Sequence, residues 1–170
     1  VRSVLREKSQ DFFEILRYDR RDWMVFWDRY ISENEEFMAG YCPALGLDRE
    51  AVRAHLYAFE RRFLDRLKME NETIRRIKGK TVNALSAIQG QLKLNQADFT
   101  VYMAGGLGVR EFIAYRESRG FVVLMDIIAL KKLDHLARMP ELTVACVQQI
   151  RKVLDSPEGG SVWVSKELAS

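Results

Sequence analysis

The chain has 170 residues, 48% of them hydrophobic and 30% charged, which is enough for one domain with a sizeable core and too little for two comfortable ones. Its 27 basic residues are offset by 24 acidic ones dispersed among them, leaving a formal charge of +3, a balance that argues against a nucleic-acid partner. Apolar runs such as FVVLMDIIAL carry Asp126 and fall well short of the ~20 residues a membrane span requires, so no membrane association is expected.

In chain order, the first third reads as helix. Trp23, Phe26, Trp27 and Tyr30 recur at i, i+3, i+4 and i+7, which places four aromatics on one helix face and predicts core. Ser32 and Glu35 have the spacing of a capping box and predict a short helix ending near Gly40 and Pro43. Asp48 then reads as the N-cap of a long helix whose apolar face is Val52, Leu56, Phe59, Phe63, Leu67, Ile74 and Ile77. Its other face is basic, with Arg61, Arg62, Arg66, Lys68, Arg75 and Arg76 prominent. Glu60, Asp65, Glu70 and Glu72 are interleaved with them, as on a solvated surface rather than a nucleic-acid stripe. His55 on this helix has no second donor at metal-ligand spacing. Past Gly79 a weaker helix is predicted from Val82, Leu85, Ile88 and Leu92.

The period then changes. Residues 98–128 are rich in β-branched and aromatic side chains and punctuated by Gly105, Gly106, Gly108 and Gly120, predicting strands at Phe99 to Ala104, Glu111 to Arg116 and Phe121 to Ile127. The glycine cluster lacks the spacing and the Lys-Ser/Thr of a phosphate loop, so a hairpin or a close backbone approach is expected there. Helical period returns after the strands. Pro140 and Glu141 suit a first turn, and Leu142, Cys146, Ile150 and Val153 line one side of the last helix. Pro157, Gly159 and Gly160 break the pattern before a final apolar piece, VWVSKELA. The predicted fold class is therefore α+β in a single domain over 1–170, with 1–92 mainly helical and 93–170 strands plus helix. Cys42 and Cys146 match neither a disulfide framework nor a metal spacing, so reduced thiols in a cytoplasmic protein are expected. No signal peptide is recognisable. The chain opens without methionine and stops at SKELAS, which is expected of a piece truncated at its C-terminus.

From about Leu94 to Ser170 the layout resembles the catalytic core of zincin metallopeptidases. More narrowly, it is similar to a family of bacterial proteins regarded as zinc-dependent proteases. The resemblance rests on FTVYMAGG, GFVVLMDI and the helix opening PEL. It implies a helical N-terminal half packed on a small mixed β-sheet, followed by an active-site helix reading Pro-Glu-Leu-x-x-His-Glu-x-x-His, with a third ligand in a phrase like Glu-Gly-Leu-Ala. Two histidines one turn apart share a helix face and hold one zinc, and the glutamate between them polarises its water. Those three positions are here Ala145, Cys146 and Gln149, and SKELAS carries Lys166 and then Glu167 where the ligand glutamate is expected. The site is thus expected to be degenerate, with no catalytic or metal-ligating residue and no zinc. With only His55 and His135 in the chain, no histidine pair can form within one turn. His135 and Cys146 would stand roughly 16 Å apart on a continuous helix, which leaves a Cys-His nucleophilic pair unsupported.

This reading predicts a non-catalytic, zincin-like structural or binding module for a peptide or protein partner, with Val101, Met103 and Gly105 as the candidate peptide-binding edge for β-augmentation. Two others stand beside it. One is a helical interaction or regulatory domain unrelated to peptidases, which a helical region from Phe99 to Ile127 would decide for. The other is an enzyme using some of Glu111, Glu117, Asp126, Asp134, His135 and Glu141. Oligomeric state is not specified by any pattern in the chain.

Overall fold

The computed structural model of the chain describes residues 5–89, 99–117, 120–155 and 162–164. It opens with β1 (Leu5–Glu7) and continues through α1 (Ser9–Ile15), α2 (Trp23–Glu33), α3 (Glu35–Met38), α4 (Tyr41–Leu45), α5 (Arg49–Tyr57), α6 (Arg61–Met69) and α7 (Asn71–Gln89). Then follow β2 (Phe99–Ala104), β3 (Phe112–Glu117), β4 (Gly120–Asp126), α8 (Ile127–Lys132), α9 (Met139–Asp155) and β5 (Val162–Val164). Short 3₁₀ turns stand at Arg20–Asp22 and Leu136–Arg138. The fold is α+β, a helical first half followed by a mixed sheet and a long helix.

The strands lie in the order β1-β2-β4-β3-β5. β2 is paired in parallel with β1 on one side and β4 on the other, whereas β3 runs antiparallel to both β4 and β5. Strands β2, β3 and β4 were legible from composition, but the pairing corrects one expectation. β2 is no edge: Val101 and Met103 face Leu5 and Glu7 of β1 on one side and Val123 and Met125 of β4 on the other. Its backbone is taken up in both ladders, so a peptide cannot add there. The loop after β2 skips one strand position, which β4 later fills.

Both sheet faces are covered, which suits strands that read as nearly continuous apolar runs. Val101 to Ala104 and Val123 to Met125 are buried throughout. On one face Phe37 of α3 stacks on Tyr102, with ring centroids 4.6 Å apart. On the other, the Thr143 hydroxyl of α9 donates to the Met125 sulfur at 3.4 Å, and α9 packs along α7. The aromatic stripe of α2 is core as predicted, with Trp23, Trp27 and Tyr30 buried and Phe26 half-buried against Tyr18.

The helix boundaries differ from expectation in three places. Ser32 lies inside α2 rather than capping the next helix. The turn falls at Asn34, which is buried and gives its side-chain amide to the Tyr30 carbonyl at 3.0 Å. The short helix α3 ends beside Gly40 as expected, and Pro43 sits in the first turn of a further helix, α4, where its missing N–H costs nothing; α4 ends at Gly46, whose φ of 65° is left-handed. The long helix from Asp48 is three helices. Asp48 does cap it, accepting from the Ala51 N–H at 2.8 Å. The chain then turns at Phe59, whose ring is buried and whose carbonyl is taken by the Arg20 guanidinium at 2.6 Å. A second break falls at Glu70, between α6 and α7. Gly79, by contrast, interrupts nothing: α7 runs straight through it.

Candidate functional site

The three α9 positions that the zincin layout would use are partly or fully withdrawn from solvent. Ala145 is half-buried and has no donor atom, and Cys146 is fully buried. The Gln149 side-chain oxygen is out of water with no hydrogen-bond partner. Burial pushes the Cys146 thiol well above its ordinary range, and the charge of Glu111 pushes the same way, so this sulfur is neither a thiolate nor accessible to substrate. Among the described residues no group of three His, Cys, Asp or Glu side chains is placed to hold a metal ion. Glu167 lies outside the described residues, and so does the side chain of Glu117.

Two of the remaining candidates are brought together. Glu111, fully buried at the bend before β3, stands 2.7 Å from Nδ1 of His135 through Oε2. Its backbone carbonyl accepts from the Asp126 N–H at 2.8 Å, and its Oε1 is buried without a partner. A carboxylate orienting an imidazole is one half of a general-base arrangement. The Cys146 thiol is sealed and cannot complete it, and the grooves at α1, α2 and α6 are lined by side chains other than Glu111 and His135. His55 is half-buried on α5, Asp134 occupies an exposed left-handed turn with φ 57°, and Glu141 is exposed in the first turn of α9. None of these three joins the pair.

The glycine cluster has a structural explanation, the close backbone approach foreseen for it. Asp126 ends β4 and caps α8, accepting from the Ile128 N–H at 2.9 Å and the Ala129 N–H at 3.4 Å. The same carboxylate reaches across to the loop after β2, accepting from Gly106 at 3.0 Å and Gly108 at 2.9 Å. Tyr41 closes the group from α4: its hydroxyl accepts from the Leu107 N–H at 2.7 Å and lies 3.5 Å from Oδ2 of Asp126. A Cβ on Gly106 would fall 2.5 Å from that oxygen, and one on Gly105 would fall 2.3 Å from the Phe12 ring. Gly105, named above as part of a peptide-binding edge, instead gives its carbonyl to the Tyr30 hydroxyl at 2.7 Å. Burial raises the Asp126 carboxyl to about 6 against the opposing pull of its backbone N–H bonds, and it raises the Tyr41 and Tyr30 hydroxyls well above their ordinary range.

No family model, curated protein or solved structure matches this chain.

The residues that sequence reasoning missed are Tyr41 and Tyr30. Both read only as aromatics in a helical region, and their hydroxyl partners lie 66 and 75 residues away. The contact of Glu111 with His135 was equally silent, because no local pattern links a strand-entry carboxylate to a histidine 24 residues on. No helix among the described residues is long and apolar enough to cross a membrane.

Proposed function

We propose that the chain acts by binding rather than by catalysis, as a zincin-like module for a peptide or protein partner. The observation that carries this reading is the chemistry of α9. At the three positions where the layout needs His, Glu and His stand Ala145, Cys146 and Gln149. The middle one is sealed from solvent, whereas a catalytic base must meet a metal-bound water. The strands before α9, and α9 opening at Met139 with Pro140 in its first turn, support the layout. The edge formed by Val101, Met103 and Gly105 is not carried forward, since β2 is paired on both sides.

The test is metal content together with hydrolysis. Purified protein is incubated with zinc, dialysed and analysed for metal, and the same sample is assayed on casein and on a fluorogenic peptide mixture. The expected result is no retained zinc and no cleavage. Stoichiometric zinc that survives dialysis, with cleavage abolished by a chelator, overturns the proposal.

A further inference from the structure

The helical half carries a groove of about 490 Å³ between the turn that follows α1 and one flank of α6, within the size range of ligand pockets. Its floor is apolar and fixed. Leu16, Trp23 and Leu64 are buried there, and the Trp23 indole is locked by donating to the Tyr18 carbonyl at 3.0 Å. Its rim is cationic. Arg61 and Lys68 stand seven residues apart on α6 and so project from one helix face with Leu64. Arg20 is held between the Phe59 carbonyl and the Trp23 ring, 5.1 Å from the ring centroid.

The charge balance selects the occupant. Asp19 is satisfied locally, accepting from the Arg21 N–H at 3.1 Å and pairing with the Arg21 side chain. Among the described residues Arg61 and Lys68 make no ion pair. The lining thus carries three cations, Arg20, Arg61 and Lys68, against two carboxylates, Asp19 and Asp65, over an aromatic and aliphatic floor. Such a surface favours an anionic ligand that also brings apolar bulk. Arg20 already covers the Trp23 ring, which disfavours base stacking and favours a peptide over a nucleic acid.

We infer that this groove binds a short acidic peptide segment, one aromatic or aliphatic side chain seated against Leu16 and Leu64 and flanking carboxylates on Arg61 and Lys68. The inference rests on the binding-module reading above and names the partner's chemistry.

The probe is a fluorescein-labelled hexapeptide of aspartate and glutamate around a central phenylalanine, titrated with the full chain by anisotropy. Saturable binding is expected, weakened several-fold when salt is raised, and weakened about tenfold when glycine replaces the phenylalanine. The double variant Arg61→Glu, Lys68→Glu changes residues outside the core and is expected to lose at least about tenfold in affinity, with circular dichroism verifying its fold. Arg138→Glu, outside the groove lining, should bind as the parent does. Unchanged affinity in the double variant overturns the groove and leaves the binding-module reading standing. Absence of binding to the parent chain, or equal binding of a lysine-substituted probe or an oligonucleotide, overturns the inference itself, while zinc content decides the broader reading separately.

Discussion

Asp126 shows how much one side chain can organise, since it terminates a strand, caps a helix and anchors a glycine loop at once. That burial has a consequence for pH. The folded carboxyl titrates near 6, whereas in the unfolded chain it takes the ordinary value near 4. Between those values the native state holds a proton that the unfolded state does not. The contribution of this group to stability therefore grows as pH falls from 7 to 4, by about 3 kcal/mol over the whole window, and is lost as pH rises through 6. Urea unfolding of the parent and of Asp126→Asn at several pH values checks this, because the asparagine variant should lack that component of the slope whatever its absolute stability. A second expectation concerns the loop. Gly106→Ala would drive a methyl into the carboxylate and the Tyr41 hydroxyl and should cost about 2–3 kcal/mol, an overpacking effect, read as a lower urea midpoint at unchanged slope.

At the scale of elements, glycines behave according to place. Gly79 lies inside α7, exposed, with open space where a Cβ would go. Gly79→Ala should therefore stabilise the chain by about 0.5–1 kcal/mol, an increase in thermal midpoint of a few degrees checked by calorimetry. Sequence reasoning treated this glycine as a helix boundary, yet the true breaks at Phe59 and Glu70 carry neither glycine nor proline. At the first, a tertiary contact takes the backbone, the Phe59 carbonyl finding Arg20; at the second, Glu70 pairs with Lys131 through its side chain while its carbonyl opens α7 by accepting from the Ile74 N–H at 2.8 Å. Periodicity reports which face is buried but not where a distant side chain relieves a carbonyl of its helical partner. The strands were more legible, because β-branched residues mark β2 and β4 directly. β1 was not, since three residues, Leu5 to Glu7, are too few to show alternation.

For the molecule as a whole, the two thiols offer separate reporters. Cys42 is half-buried and Cys146 fully buried, so a disulfide exchange reagent at neutral pH should modify Cys42 first. Cys146 should react only at the rate of global opening, a two-phase time course that collapses to one phase in urea. Early modification of Cys146, followed by mass spectrometry, would contradict the closed packing of α9. The candidate site was legible only in part. That Ala145, Cys146 and Gln149 lack metal donors is a local fact, visible in one helical turn. The alliances of Glu111 with His135 and of Tyr41 with Asp126 required the fold, as did the fact that β2 is not an edge. The strand order also bears on how the chain is made. β2 waits for β4, which is synthesised after β3, and β1 waits for β2, almost the whole length of the helical half later. Phe12, Tyr30, Phe37 and Tyr41 leave the ribosome long before Gly105, Tyr102 and Asp126 exist to receive them. Until then these aromatics can meet only one another, as Phe12 meets Tyr30 and Tyr30 meets Phe37 in the finished fold, so the first half completes its packing only when the sheet arrives.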